Sequence, residues 1–394
     1  MLWYEDLHSG KHLPTIIDLA REATAVRPDI ADNWCMLASF LIQAGEEEQA
    51  IAVLTEAISK LPSDSKLYEM LARTNHLAPR VEVLHRAPAI PIDDREPTSS
   101  RLEPLMKSRI AADEAQVATD TLARDPLNSH ALSVLGRVSR KNGRPQVMVP
   151  FCSAALERDP GHTRARYELA VAFAILGRSE QARQLIDLER FIEIIDLAPP
   201  DSYATAGRFE NALAGEIDCN PTLKPDPVDK ATKGGFQTSG LPQPSDRAVG
   251  ALLDLIRLAV DGFEVRLPAG LKDPFVTERP KQAWLHAWAV VYPGDGRQMS
   301  HIHDDGWLSG VYYVSAPKTS SGSPRAGCLV LGSLEYNGSS VDPPWGTRDI
   351  SPVPGRLVLF PSYIPHATIP TKSTDRRICV SFDVVAAARS RIPV

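Results

Sequence analysis

The 394-residue sequence predicts an α+β multidomain chain, with a helical repeat array in the first half and a small β-barrel or sandwich in the last third. Three observations carry that prediction. Prolines recur 34 residues apart, at Pro28 and Pro62 and again at Pro126 and Pro160. Apolar residues keep helical spacing through the repeats and again over 248–267, and from residue 283 switch to short β-branched and aromatic runs. Those runs are separated by Gly and Pro turns, as closely spaced strands require. The length also exceeds what one compact core normally serves.

Within the array, Trp34, Leu37, Ala38, Leu41, Gly45, Ala50, Leu54, Ala57 and Pro62 follow the pattern of a tetratricopeptide helix pair almost position by position. Leu132, Leu135, Gly136, Gly143, Ala155 and Pro160 repeat it, and Leu169, Ala170, Phe173, Gly177, Ala182 and Ile186 continue it. Small residues such as Ala38, Gly136 and Ala170 let paired helices approach, while Leu and Phe fill the space between neighbours. The prolines stop the second helix of each pair. Pro62 and Pro126 are out of register, and the proline-rich stretch 79–100 predicts an irregular loop there. Helical pattern resumes near Leu102 and is expected to run to about Leu197, giving a repeat domain over 1–197.

Residues 198–280 read as a connecting arm, rich in Pro, Gly, Lys and Asp over 221–246, leading into one helix over 248–267. From 281 to 394 the strand runs are AWLHAWAVVY, LSGVYYV, GCLVLGS, GRLVLFPS and RRICVSFDVV.

A net charge of −6 argues against a nucleic-acid partner, which calls for a concentrated basic face. No run of about 18 apolar residues suggests a membrane span, and MLWYEDLHSGKHL does not resemble a secretion signal. Five scattered cysteines, none in a C-x-x-C pair, fit a reducing compartment. The expectation is a cytoplasmic protein.

The chemistry concentrates in HIHDDGWLSGVYYV, residues 301–314. His301 and His303 lie between two strand runs, and in extended chain residues i and i+2 point to the same side. His366 follows GRLVLFPSYIP and can answer them from a later strand, and arginines 376 and 377 open the next. This arrangement resembles the Fe(II)- and 2-oxoglutarate-dependent oxygenases, whose fold is a double-stranded β-helix. The resemblance is closest to a branch with GWLSGVYYV, PGRLVLFPSYIPH and Arg-Ile-x-Val-Ser-Phe-Asp segments, often fused to tetratricopeptide repeats. TKGGFQT at 232–238 also fits that branch.

The resemblance implies Fe(II) on three side chains of one face, with room for 2-oxoglutarate and O2. It implies a hydroxylase that converts 2-oxoglutarate to succinate and CO2. His301 and His366 carry over as ligands, and Arg377 as the bidentate partner of the far carboxylate of 2-oxoglutarate. Arg376 points the other way on the strand. Tyr313 matches a tyrosine that donates to the same carboxylate. Many members place a serine where this chain has Cys379, a poor donor, so Ser381 or Tyr313 becomes more necessary.

One position departs from the pattern, because His303 stands where the family has a carboxylate. The site then consists of three histidines, or borrows Asp304 or Asp305, or has two histidines and an extra open position. Three imidazoles are favoured, since Asp304 starts on the opposite face. Asp304 and Asp305 are then candidate acceptors for imidazole N–H groups. Trp284, Trp288, Trp307, His286 and Gln298 are weaker candidates.

The leading functional expectation is a hydroxylase whose repeats grip a protein or peptide substrate. The alternatives are a cupin-type metal enzyme that does not use 2-oxoglutarate, and a non-catalytic repeat adaptor. The repeat scaffold equally suits a homodimer.

Overall fold

The computed structural model describes residues 1–4, 13–43, 46–61, 67, 70–71, 74 and 114–387, apart from short breaks at 228–229, 242–246, 268–269, 318–324, 337–338, 372 and 374. The expected loop at 79–100 lies outside the described residues. The chain divides into two compact units, residues 6–97 and residues 1–5 with 98–394.

The first unit holds helices α1 (Leu13–Val26), α2 (Ala31–Gln43) and α3 (Glu47–Lys60). Trp34, Leu37, Ala38, Leu41, Ala50, Leu54 and Ala57 are all buried there, so the residues of the repeat pattern are the core of the unit. Ala38 and Ala50 have no exposed surface, as small residues at a close helix crossing require.

The second unit begins its described helices with α4 (residues 114–124), α5 (Ser129–Lys141), α6 (Met148–Arg158), α7 (Thr163–Ile175) and α8 (Ser179–Leu185). Asn128 and His162, 34 residues apart, cap α5 and α7 by accepting from the amides of Ala131 and Ala165. His162 also ties successive pairs together, its Nε2 2.8 Å from the Leu127 carbonyl oxygen.

The helical reading to about Leu197 does not hold beyond Leu185. Glu193–Asp196 is a strand, β2, with alternating half-buried and exposed residues, because its Ile-Ile pair sits at the edge of a sheet rather than on a helix face. Leu2–Tyr4 forms another strand, β1, which pairs in parallel with β3 (Gln282–Pro293). The bridge also contains a helix that the sequence reading missed, α9 (Ala206–Asp218), capped by Thr205, before the expected α10 (Ala248–Arg266).

The strands that build the two main sheets include β4 (Gly306–Ser315), β5 (Leu329–Leu331), β6 (Arg348–Ile350), β7 (Arg356–Pro361), β8 (His366–Thr368) and β9 (Arg376–Ala386). The larger sheet runs β2-β7-β4-β9-β3 and continues through Phe236–Gln237 and Lys224–Pro225. A smaller sheet runs β6-β5-β8, and the His301–His366 bridge extends it. Two antiparallel sheets of this kind form the jelly roll that a double-stranded β-helix describes. One apolar core joins α7 and α8 to α9, α10 and the sheet strands.

Glycine 310 shows how tightly the sheet is packed. An added Cβ would overlap the Phe382 ring and lie 2.8 Å from the Val358 carbonyl oxygen. Gly310→Ala is therefore expected to cost about 1–3 kcal/mol of stability, measured by urea unfolding, through overpacking. An unchanged unfolding midpoint would show that the sheet yields freely at this point.

Candidate metal centre

His301 and His366 face each other across an antiparallel bridge, with reciprocal backbone hydrogen bonds of 3.1 and 2.9 Å. His303 follows two residues on, its amide donating to the Ser362 carbonyl at 3.2 Å. These backbone bonds bring three rings together, with centroids 4.2 to 5.1 Å apart. One ligand atom from each lies within 4.8 Å of those of the other two.

Hydrogen bonds decide which nitrogen each ring offers. His301 Nδ1 donates to the Met299 carbonyl at 2.7 Å, and His366 Nδ1 donates to the Ile364 carbonyl at 3.1 Å. His303 Nδ1 donates to Asp383 Oδ1 at 2.5 Å. With all three Nδ1 atoms carrying the proton, the Nε2 lone pairs are left for a metal. His301 and His303 Nε2 lie 3.1 Å apart. Two ligand nitrogens at about 2.1 Å from one ion are separated by about 3.0–3.4 Å in octahedral or tetrahedral geometry, so this pair is spaced as neighbouring ligands.

Electrostatics favour the same protonation state. Burial, reinforced by the neighbouring His303, pushes His301 down to about 3, and burial with His301 and His303 nearby holds His366 well below its ordinary value. Burial opposes ionisation of Asp383, but His303 and Ser309 together hold its carboxyl below the usual range.

Asp304 takes a different direction. Its Oδ1 lies 2.7 Å from Arg164 Nη2 on α7, and Arg164 also reaches Glu168. The expected acceptor from Asp304 or Asp305 is thus supplied to His303 by Asp383 instead. The reason is geometric, since the loop turns Asp304 toward the repeat helix while β9 runs directly past His303.

A pocket beside the histidines is lined by His303, His366, Tyr313, Arg377, Cys379 and Ser381, joined by Tyr292 and Gln298. Arg377 is only 1% exposed. Its Nη1 donates to the Gly327 carbonyl at 2.8 Å and its Nη2 to Thr368 Oγ1 at 3.2 Å, both neutral acceptors. Among the described residues no carboxylate pairs with it, and its Nε has no hydrogen-bond partner. A buried guanidinium in that condition is a receptor for an anion. Arg376, by contrast, pairs with Asp218 on α9 at the surface.

Tyr292 was missed by sequence reasoning. It stands opposite Arg377 in the β3-β9 register, and the guanidinium lies 4.5 Å from its ring centre. An added Cβ on Gly235 or Gly296 would run into the Tyr292 ring, which explains one glycine of TKGGFQT and one of the loop after β3. Burial pushes the hydroxyls of Tyr292 and Tyr313 up, so both remain protonated donors. Trp307 is core, stacked on Phe275 with its indole N–H on the Phe275 carbonyl. Trp288 lies nearer the site, its ring 5.5 Å from that of His303.

Comparison with known proteins agrees with this geometry. Residues 286–383 match the family of 2OG-Fe(II) oxygenases, and residues 31–59 and 151–196 match tetratricopeptide repeats. The chain therefore carries a 2-oxoglutarate- and Fe(II)-dependent oxygenase domain together with tetratricopeptide repeats, and its cofactors are Fe(II) and 2-oxoglutarate. No curated protein matches the sequence. Among solved structures, a prolyl-4-hydroxylase of Pseudomonas putida is 18% identical, covering 50% of this chain and 94% of its own, with a TM-score of 0.35. A prolyl hydroxylase of Trichoplax adhaerens, in complex with a hypoxia inducible factor oxygen degradation domain peptide fragment, is 15% identical, covering 56% and 96%, with a TM-score of 0.36. HygX of Streptomyces hygroscopicus, with nickel and 2-oxoglutarate bound, is 12% identical, covering 50% and 84%, with a TM-score of 0.33. No described helix is long and apolar enough to cross a membrane.

The lowered histidines make stability depend on pH. Below about pH 6.5 the unfolded chain binds protons at His301 and His366 that the folded chain does not take up, so acid favours unfolding. The metal-free protein is therefore expected to lose stability as the pH falls from 7 to 5, read from urea unfolding at the two pH values. His366→Asn is expected to flatten that dependence, and an equally steep slope in the variant would refute the assignment.

Proposed function

We propose that this chain is a hydroxylase of protein or peptide substrates, with His301, His303 and His366 as the Fe(II) ligands and Arg377 as the anchor for the far carboxylate of 2-oxoglutarate. The observation that carries the reading is the buried, carboxylate-free guanidinium of Arg377 in the same pocket as two of the three convergent imidazoles. A cation there without an anion is unfavourable, and a small dicarboxylate reaching from Arg377 to the metal side of the pocket relieves it.

The residues present suit those cofactors. Three neutral imidazole donors on one side leave the other positions of an octahedral ion open. When bound, Fe(II) and 2-oxoglutarate supply oxidative decarboxylation to succinate and CO2, coupled to insertion of one oxygen atom of O2 into a substrate C–H bond. The protein positions and shields. Arg377 grips through its free Nε edge, Thr368 and Gly327 hold its fork, and Tyr313, Tyr292 and Ser381 place hydroxyls along the pocket. The Leu329, Val311 and Phe360 side chains keep the walls apolar, which strengthens each charged contact.

The repeats support a polypeptide substrate, because stacked helix pairs present extended surfaces suited to chains. The proposed organisation places the repeats over 1–197, a connecting arm and helix belonging to the oxygenase domain over 198–280 and the oxygenase core over 281–394, although β1 and β2 are contributed to the core sheet from the repeat segment.

Succinate release from 2-oxoglutarate by the Fe(II)-loaded protein tests the reading. Arg377→Ala is expected to lose at least tenfold in apparent affinity for 2-oxoglutarate, the scale of a charge-assisted bidentate contact of about 1.5–3 kcal/mol. His366→Ala is expected to abolish turnover. Wild-type protein that neither binds 2-oxoglutarate nor consumes it with any peptide would refute the proposal.

A further inference from the structure

The three imidazoles are not equivalent. His301 and His366 donate their outer N–H to neutral backbone carbonyls, whereas His303, at the position where the family pattern has a carboxylate, donates to an ionised one. We propose that Asp383 supplies the missing negative charge of the centre from one imidazole further out, fixing the orientation of His303 and raising the affinity of the site for a divalent ion. The inference rests on the reading of His301, His303 and His366 as ligands.

The surroundings of Asp383 support it. Its Oδ1 accepts from His303 Nδ1 at 2.5 Å and from Ser309 Oγ at 2.6 Å, and Ser309 Oγ lies 2.7 Å from Ser362 Oγ. Among the described residues, no lysine or arginine pairs with this carboxylate, so its charge acts on the imidazole and whatever the imidazole holds. Gly306 keeps the space open, since an added Cβ would overlap Ser362 Oγ and lie 3.4 Å from Asp383 Oδ1. The nearby Asp304 carboxylate is already matched by Arg164 and has no comparable charge to lend.

A carboxylate hydrogen-bonded to a ligating imidazole fixes the tautomer and raises the basicity of the coordinating nitrogen. With Asp383 counted, the centre holds three neutral donors and one nearby anion, the same total charge as two histidines and a carboxylate. The anion is displaced outward rather than lost. Asp383 is thereby a positioning residue, acting through His303 and not on the reacting atoms.

The test is metal affinity of the full-length protein, measured with Mn(II) and Co(II) by chelator competition, with the Co(II) visible spectrum recorded alongside. Asp383→Asn keeps the shape and an acceptor but removes the charge. It is expected to weaken binding about 10- to 100-fold and to shift the Co(II) bands. Asp304→Asn is expected to stay within about threefold of the parent protein, because that charge is already paired. His303→Ala and His366→Ala report on the underlying ligand reading, and unchanged affinity in those variants refutes it. If they bind poorly while Asp383→Asn binds as the parent does, only the Asp383 inference is overturned. Should Asp383→Asn lower the melting temperature of the metal-free protein, Asp383→Glu carries the comparison. It keeps the charge and is expected to recover most of the affinity, and a Glu variant as weak as Asn would overturn the inference.

Discussion

Much of the C-terminal unit depends on one constraint, the convergence of three imidazole nitrogens whose outer N–H groups are each committed to a fixed acceptor. The Nε2 lone pairs of His301 and His303, 3.1 Å apart, repel one another. The fold holds them by making the site out of backbone pairing. His301 and His366 are locked by reciprocal bonds across the small sheet, and His303 is locked by Ser362 on one side and β9 on the other.

The same strand that orients His303 also carries the buried Arg377. Arg377 and Asp383 are six residues apart on β9, an even spacing that puts both side chains on the inner face. One end of β9 presents a buried cation to the pocket and the other presents a carboxylate to the His303 imidazole. The intervening Cys379 and Ser381 share that face and line the pocket between them. β9 is thus the axis of the site, paired along its whole length with β3 and over Ile378–Val385 with β4, which makes displacement of either charge costly.

Much of this was legible because it is local. The strand runs, the i and i+2 spacing of His301 and His303, the distal His366 and the opposed directions of Arg376 and Arg377 follow from a period of two. What was not legible depends on partners far apart in the chain. Asp383 is 80 residues from His303, so the sequence pointed to the adjacent Asp304, which instead meets Arg164 on a repeat helix. Tyr292 reads as an ordinary strand aromatic until the β3-β9 register sets it opposite Arg377. Glu193–Asp196 looks like the tail of a helix because four residues are too few to reveal their period, and only an edge of β7 makes them a strand. Helix α9 was hidden by Gly207 and Gly215, which lower local helix propensity without preventing a capped, amphipathic helix from packing.

The repeat helices of this unit are more than a neighbouring module. Thr163, the first residue of α7, donates its hydroxyl to the Gly306 carbonyl at 3.0 Å, on the loop between His303 and β4. Arg164 holds Asp304 on that loop, and Arg166, buried and bidentate on Asp273 at 2.9 and 3.0 Å, stacks 4.1 Å over Tyr363, three residues before His366. Three of the first four residues of one repeat helix therefore clamp the segments that carry the second and third imidazoles. Removing the charge of Arg164 would leave Asp304 uncompensated beside His303, where a carboxylate competes with an imidazole for a cation. The clamp thus pairs Asp304, the carboxylate adjacent to His303 in sequence, with Arg164, while Asp383, 80 residues away in sequence, is the one hydrogen-bonded to His303.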